Sequence, residues 1–271
     1  MSRIYTIDVS QVQGRIDWSQ VRGHDPGEAL GGPAGSIEGV IAKAAEGGRY
    51  VDPTVRANLD AARLEGLAVG VYHFAKVGGP GWGRVQAEHV LSLDLGAGDD
   101  PGELPVWLDL GEGKARALAG GADELVDEAR ESLEAVEAAG FRAGVYTMPV
   151  FDAQWRGARR LVELASRPLW VAHYARRGAW VPGEGARPMR LAPWASWDMW
   201  QFSGGGPGLA GNVVPGVLGG VGFVDLNLVA DGLEGWRRLV GAGELSEGLD
   251  GGAVHGAHVV EASLSEYRGG A

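Results

Sequence analysis

Tyr5-Thr6-Ile7-Asp8-Val9-Ser10-Gln11-Val12-Gln13-Gly14-Arg15-Ile16-Asp17-Trp18 begins as a short apolar run, closes on a carboxylate and then turns polar. The same arrangement recurs down the chain. Eight apolar runs cover residues 4–8, 40–46, 68–74, 106–109, 143–146, 169–174, 200–202 and 221–225. Most of them finish on or beside a carboxylate, a His or a Gln, and several alternate with stretches of helical period. Such alternation predicts an α/β fold, an irregular and flattened TIM-like (β/α) barrel, with its chemistry at the C-terminal ends of the strands. Asp8, Glu46, His73, Asp109, Gln201 and Asp225 are then expected to converge on one face.

Between the runs, Asp52-Pro53 predicts a helix start, with Val55, Leu59, Ala62 and Leu64 on one side and Gly66 as the stop. A second helix is expected from about Asp123 to Ala139, burying Leu125, Val126, Ala129, Leu133 and Val136 before Gly140. Weaker helical patterns cover residues 84–95, 157–166 and 233–240. Two glycine-rich stretches, 23–35 and 203–222, interrupt the scheme. The second has no helical period, so the last two strands are expected to pair as a hairpin.

A chain of 271 residues fits one barrel domain, read here as 1–241, followed by a glycine-rich tail, 242–271, with too little apolar content for a core. That tail is expected to be partly ordered or to dock on a partner. The net charge of −11 repels polyanions and argues against a generic nucleic-acid surface. Without cysteine there is neither a disulfide framework nor a thiolate metal site. The N-terminus lacks the pattern of a secretory signal, and no apolar run is long enough to insert in a membrane. The expectation is a protein made in the cytoplasm that acts elsewhere after release or within a particle.

The opening pattern, Asp8-x-Ser10-x-x-Gln13-Gly14-x-Ile16-Asp17-Trp18, resembles the signature of the glycoside hydrolase family 25 lysozymes, the Chalaropsis-type N-acetylmuramidases. The resemblance continues in order over residues 4–230. Val40-Ile41-Ala42-Lys43-Ala44-Ala45-Glu46-Gly47 with Tyr50-Val51-Asp52-Pro53 is similar to the family's second strand and loop, and Gly70-Val71-Tyr72-His73-Phe74-Ala75 to its third. Leu104-Pro105-Val106-Trp107-Leu108-Asp109, Ala143-Gly144-Val145-Tyr146-Thr147, Leu169-Trp170-Val171-Ala172-His173-Tyr174, Trp200-Gln201-Phe202-Ser203 and Val224-Asp225-Leu226-Asn227 follow.

The resemblance implies cleavage of the β-1,4 bond between N-acetylmuramic acid and N-acetylglucosamine in bacterial peptidoglycan, with Asp8, Asp109 and Asp225 as active-site aspartates. It also exposes a departure. The family's fourth strand ends Asp-x-Glu, that Glu being its general acid, whereas this chain reads Asp109-Leu110-Gly111-Glu112-Gly113. Glycosidic cleavage needs a second carboxyl group to protonate the leaving oxygen. Glu112, flanked by two glycines that permit a bulge, is the expected substitute, and Glu46 is the second candidate. The competing expectation is an inactive glycan-binding or structural module, for example in a phage-like particle.

The chain holds 10 tryptophans among only 8% aromatic residues, a skew that suggests sugar stacking. Trp107, Trp170, Trp200, Tyr72, Tyr146 and Tyr174, with His73, Gln201 and Glu46, are therefore the expected substrate contacts. Trp18, Trp155 and Trp236 are read as packing residues. His73 and His173 lack the spacing of metal ligands, and the glycine strings lack the lysine of a phosphate cradle, so neither a metal nor a cofactor is expected.

Overall fold

The computed structural model describes residues 2–93, 95, 103–111, 121–148, 160–174, 180–204, 213–219 and 223–241. Nine strands form one sheet: β1 (Arg3–Val9), β2 (Gly35–Glu46), β3 (Tyr50–Val51), β4 (Ala68–Phe74), β5 (Val106–Asp109), β6 (Ala143–Thr147), β7 (Leu169–Ala172), β8 (Met199–Gln201) and β9 (Asp225–Val229). Their order is β1-β9-β8-β7-β6-β5-β4-β2-β3, and an additional β1–β2 pairing closes eight of them into a barrel. β3 is a short hairpin partner of β2 that stays outside the closure.

Six neighbouring pairs are parallel, from β1–β2 round to β7–β8. β9 alone runs antiparallel to both its neighbours. The expected hairpin of the last two strands is thus present, but its position corrects the sequence reading. Asp225 opens a strand that continues to Val229, whereas residues 221–225 were expected to be the strand and Asp225 its end. Because β9 is reversed, its first residue lies at the same mouth as the last residues of the parallel strands. The bounds of the strand were misread, while the carboxylate stays at the expected mouth.

Alternation of side chains sorts each strand into an inward and an outward set. Ile4, Ile41, Trp107, Trp170, Met199 and Val229 fill the barrel with Leu104, while Leu239 and partly buried Trp236 pack under them from the last helix. Trp107 and Trp170 meet edge to face at 5.6 Å and are fully buried. Such volume needs small neighbours. A Cβ placed on Gly144 would stand 2.5 Å from the Trp107 ring, and one on Gly70 would stand 2.6 Å from Leu104 Cβ. Glycine at both sites lets the large residues close the interior.

Outward residues such as Ile7, Val40, Val71, Leu108, Val145 and Val171 pack beneath the helices. In chain order these are α1 (Trp18–Val21), α2 (Pro26–Leu30), α3 (Val55–Leu64), α4 (Trp82–Leu91), α5 (Gly121–Ala138) and α6 (Leu233–Leu239). α3 begins later than expected. Asp52 instead accepts hydrogen bonds from the backbone N–H and hydroxyl of Thr54 and from Gln11 N–H, tying the loops after β1 and β3 together. Val55, Leu59 and Ala62 are buried as predicted, but Leu64 is 87% exposed. Nine residues at 100° each place it opposite Val55.

α5 buries the expected five apolar residues and ends before Gly140 at φ +89°. The glycine-rich stretch at 23–35 contains α2, with Asp25 accepting from Gly27 and Glu28 N–H and Pro26 at the first position. Within the weak pattern at 157–166, the described residues form a 3-10 turn, Leu161–Leu164. No helix among the described residues is long and apolar enough to cross a membrane. The tail, 242–271, and Trp155 lie outside the described residues.

Candidate active site

The mouth is built from inward residues at the upper ends of the strands. In the antiparallel β1–β9 pair Asp8 and Asp225 are direct register partners. Like charges opposed in this way repel. Two amides answer that repulsion: Gln201 Nε2 donates to Asp8 Oδ2 at 2.9 Å and to Asp225 Oδ2 at 3.3 Å, and Asn227 Nδ2 donates to Asp8 Oδ2 at 3.0 Å. Asn227 is itself oriented by Trp170 Nε1, which donates to its Oδ1 at 2.8 Å.

The other end of Gln201 fixes which way its amide faces. Tyr146 and Tyr174 hydroxyls both donate to Gln201 Oε1, at 2.7 and 2.6 Å. Burial first, and then the negative neighbours, raise both phenols above their ordinary range, so they remain protonated donors. Gln201 must therefore turn its NH2 toward the carboxylates. The result is a continuous chain from two phenols through one amide to two aspartates.

Asp109 stands on the facing side, at the end of β5. It is buried, accepts Gly111 N–H at 2.7 Å, and is close enough to Asp8 to repel it. Desolvation, then the Asp225 charge, push the Asp8 carboxyl well above the usual carboxylate range, with Asp109 adding to the rise. The amide hydrogen bonds of Asn227 and Gln201 oppose this. Tyr72 is raised by burial and by the charges of all three aspartates, which places it beside the same cluster. No group of His, Cys, Asp and Glu suited to holding a metal ion occurs among the described residues.

The structure thus brings Asp8, Asp109, Asp225, Gln201, Tyr72, Tyr146 and Tyr174 to one end of the barrel. Four other expected contacts lie elsewhere. Trp107 and Trp170 point into the barrel beneath the aspartates, where their faces are taken up by packing. Trp200 has the opposite parity to Gln201 and faces outward, packing on His173, Trp180, Trp197 and Phe202 and donating from Nε1 to His173 O. His73 likewise faces outward, with Nε2 3.4 Å from Gln86 Oε1 of α4. Period-2 alternation, applied strictly from Tyr72 and Gln201, separates these two from the aspartate cluster.

Glu46 stands at the rim between Lys43 (2.8 Å) and Lys76 (2.6 Å). Partial burial alone would raise its carboxyl, but the hydrogen bonds and charges of the two lysines outweigh this and hold it at about 2. Held between two ammonium groups, its carboxyl favours the charged form, which suits it poorly to giving up a proton. Glu112 lies outside the described residues. Gly111 faces the cluster: a Cβ there would come 2.9 Å from Asp109 Oδ1 and 3.7 Å from Tyr146. Asn227, Lys43 and Lys76 were not foreseen as site residues. Asn227 was legible in principle, two positions along the strand from Asp225.

A closed barrel with carboxylates and phenols gathered at one end is an arrangement suited to acid–base chemistry. The sequence profile of the glycosyl hydrolases family 25 matches residues 7–208, and the chain belongs to that family. It is 27% identical over 229 residues to lysozyme M1 of Streptomyces globisporus, a match covering 78% of this chain and 66% of that protein. It is 32% identical over 240 residues to the uncharacterized protein YegX of Escherichia coli O157:H7, covering 85% of this chain and 75% of that one. The bacterial lysozyme of Streptomyces coelicolor shares the fold with a TM-score of 0.61 and 24% identity, over 89% of this chain and 96% of its own. The CTP1L endolysin shares it with a TM-score of 0.60, over 89% of this chain and 70% of its own.

Proposed function

We propose that the protein is a peptidoglycan-directed muramidase that hydrolyses the β-1,4 bond between N-acetylmuramic acid and N-acetylglucosamine at the bacterial cell wall. The observation that carries this reading is the meeting of Asp8 and Asp225 at Gln201, with Asp109 close enough to repel Asp8, in a chain of the lysozyme family. Asp8 and Asp109 shape the sugar site on the non-leaving side of the bond, where an oxocarbenium-like centre develops and negative charge stabilises it. Asp225 and Gln201 position groups at the rim. Tyr72, Tyr146 and Tyr174 are the aromatic contacts to the glycan. Glu112 donates the proton to the leaving oxygen.

One observation favours a second reading, a glycan-binding module without turnover. Gly111 has no side chain with which to protonate anything, and its N–H is spent on Asp109. Mass spectrometry of wall fragments after incubation separates the two. New N-acetylmuramic acid reducing ends, lost in Glu112→Gln, support hydrolysis with Glu112 as the acid. Retention on walls without any released fragment supports the binding module. Wall digestion by Glu112→Gln at the wild-type rate removes Glu112 from the mechanism.

A further inference from the structure

The upper ends of β2 and β4 carry a charge arrangement that the aspartate cluster does not use. Lys43 and Lys76 share the one carboxylate of Glu46. Two ammonium groups against one carboxylate leave a net charge of about +1 at neutral pH. Both ammoniums lie over the Phe74 ring, 5.3 and 4.7 Å from its centroid, and Lys43 is also 5.4 Å from the centroid of Tyr50. Cations over aromatic faces are held in place without being neutralised.

The position of this group follows from strand register. Glu46, Phe74, Asp109 and Tyr146 are successive partners across β2, β4, β5 and β6. Glu46 is therefore two strands from Asp109 in the same row, roughly 10 Å at ordinary strand spacing. The Lys76 side chain is 48% exposed and that of Lys43 18%. An ammonium has three donors, and Glu46 takes one from each lysine. A net cation at the rim of a triple-aspartate mouth, in a chain of charge −11, is suited to an anionic part of a ligand that is otherwise kept away.

We propose that Lys43 and Lys76, aligned by Glu46 above Phe74, bind a carboxylate on a substituent of the glycan next to the cleaved bond, so that the site prefers a glycan bearing an acidic peptide over a bare one. This rests on the glycan reading of the mouth. Glu46 acts as a positioning residue: it holds the two ammoniums side by side.

The test compares two soluble N-acetylated glycan oligomers of equal length, one carrying acidic peptide stems and one stripped of them, as ligands of the full chain in calorimetric titrations completed before turnover. The wild-type protein is expected to bind the peptide-bearing oligomer roughly three- to tenfold more tightly, with a preference that shrinks as salt is added. In Lys76→Gln that ratio falls toward one, in Lys76→Glu it inverts, and in Lys76→Arg it returns. An unchanged ratio in Lys76→Gln, with both oligomers still bound, overturns the inference and leaves the glycan reading intact. Failure of the wild-type protein to bind either oligomer overturns the glycan reading and the inference together.

Discussion

Asp8 and Asp225 face each other across the strand pair that joins the barrel's first strand to its reversed last one, and a single amide nitrogen, Gln201 Nε2, touches both carboxylates. The amide is held in turn by two phenols. Removing the amide leaves two buried anions opposed and two hydroxyls without their acceptor.

Gln201→Leu is accordingly expected to lose about 1–3 kcal/mol of stability, the cost of stranding buried polar groups. Glycan affinity should fall with it. Denaturant titration checks the first and binding to walls the second. A variant as stable as the parent would show that the chain of hydrogen bonds is not a structural tie.

The raised Asp8 carboxyl fixes the sign of a pH effect. A carboxyl whose folded-state pKa exceeds its unfolded value, about 3.9, contributes stability that is fully present below the unfolded value. That stability is lost as pH rises through the folded one. Asp8→Asn cannot ionise and has no such loss. Unfolding midpoints should decline for the parent relative to Asp8→Asn as pH rises above about 3.9; parallel curves would contradict the shift.

Gly111→Glu places a carboxyl group toward the cluster but brings its Cβ to 2.9 Å from Asp109 Oδ1. Crowding of that kind costs about 1–3 kcal/mol. Gly111→Ala carries the same crowding without the acid, so any gain in reducing-end release by Glu over Ala belongs to the proton donor. Under the binding-module reading, in which no acid is in place, supplying one is expected to raise the rate by at least ~10²-fold. Equal rates for the two variants would place the proton donor elsewhere.

Gly144→Ala sets a methyl group 2.5 Å from the Trp107 ring. A loss of about 1–3 kcal/mol is expected, with part of it recovered when Trp107→Phe is added, because the smaller ring vacates the space. Additive losses in the double variant, read by thermal unfolding, would disprove the contact.

Much of the barrel was legible because each parallel strand announces itself by an apolar run ending in a polar residue, and because α5 keeps a strict helical period. The carboxylates could be picked out for the same reason: a charge at the end of a buried run has few places to go except a rim. The tryptophans were not legible. Trp107 and Gln201 both face inward, yet one is buried packing and the other a polar hub. Depth in the barrel separates them, and depth depends on the stagger of neighbouring strands. His73 and Trp200 were misassigned because their parity relative to Tyr72 and Gln201 was not applied.

The sequence by itself determined the alternation of strands and helices, the acidic residues of the rim and the family, since each is written in local period or in short ordered motifs. Only the tertiary structure decided that β9 begins at Asp225, that Gln201 joins Asp8 to Asp225, and that Lys43 and Lys76 both pair with Glu46. These depend on which strands become neighbours and at what register. Barrel closure sets both, through contacts between residues far apart in the chain.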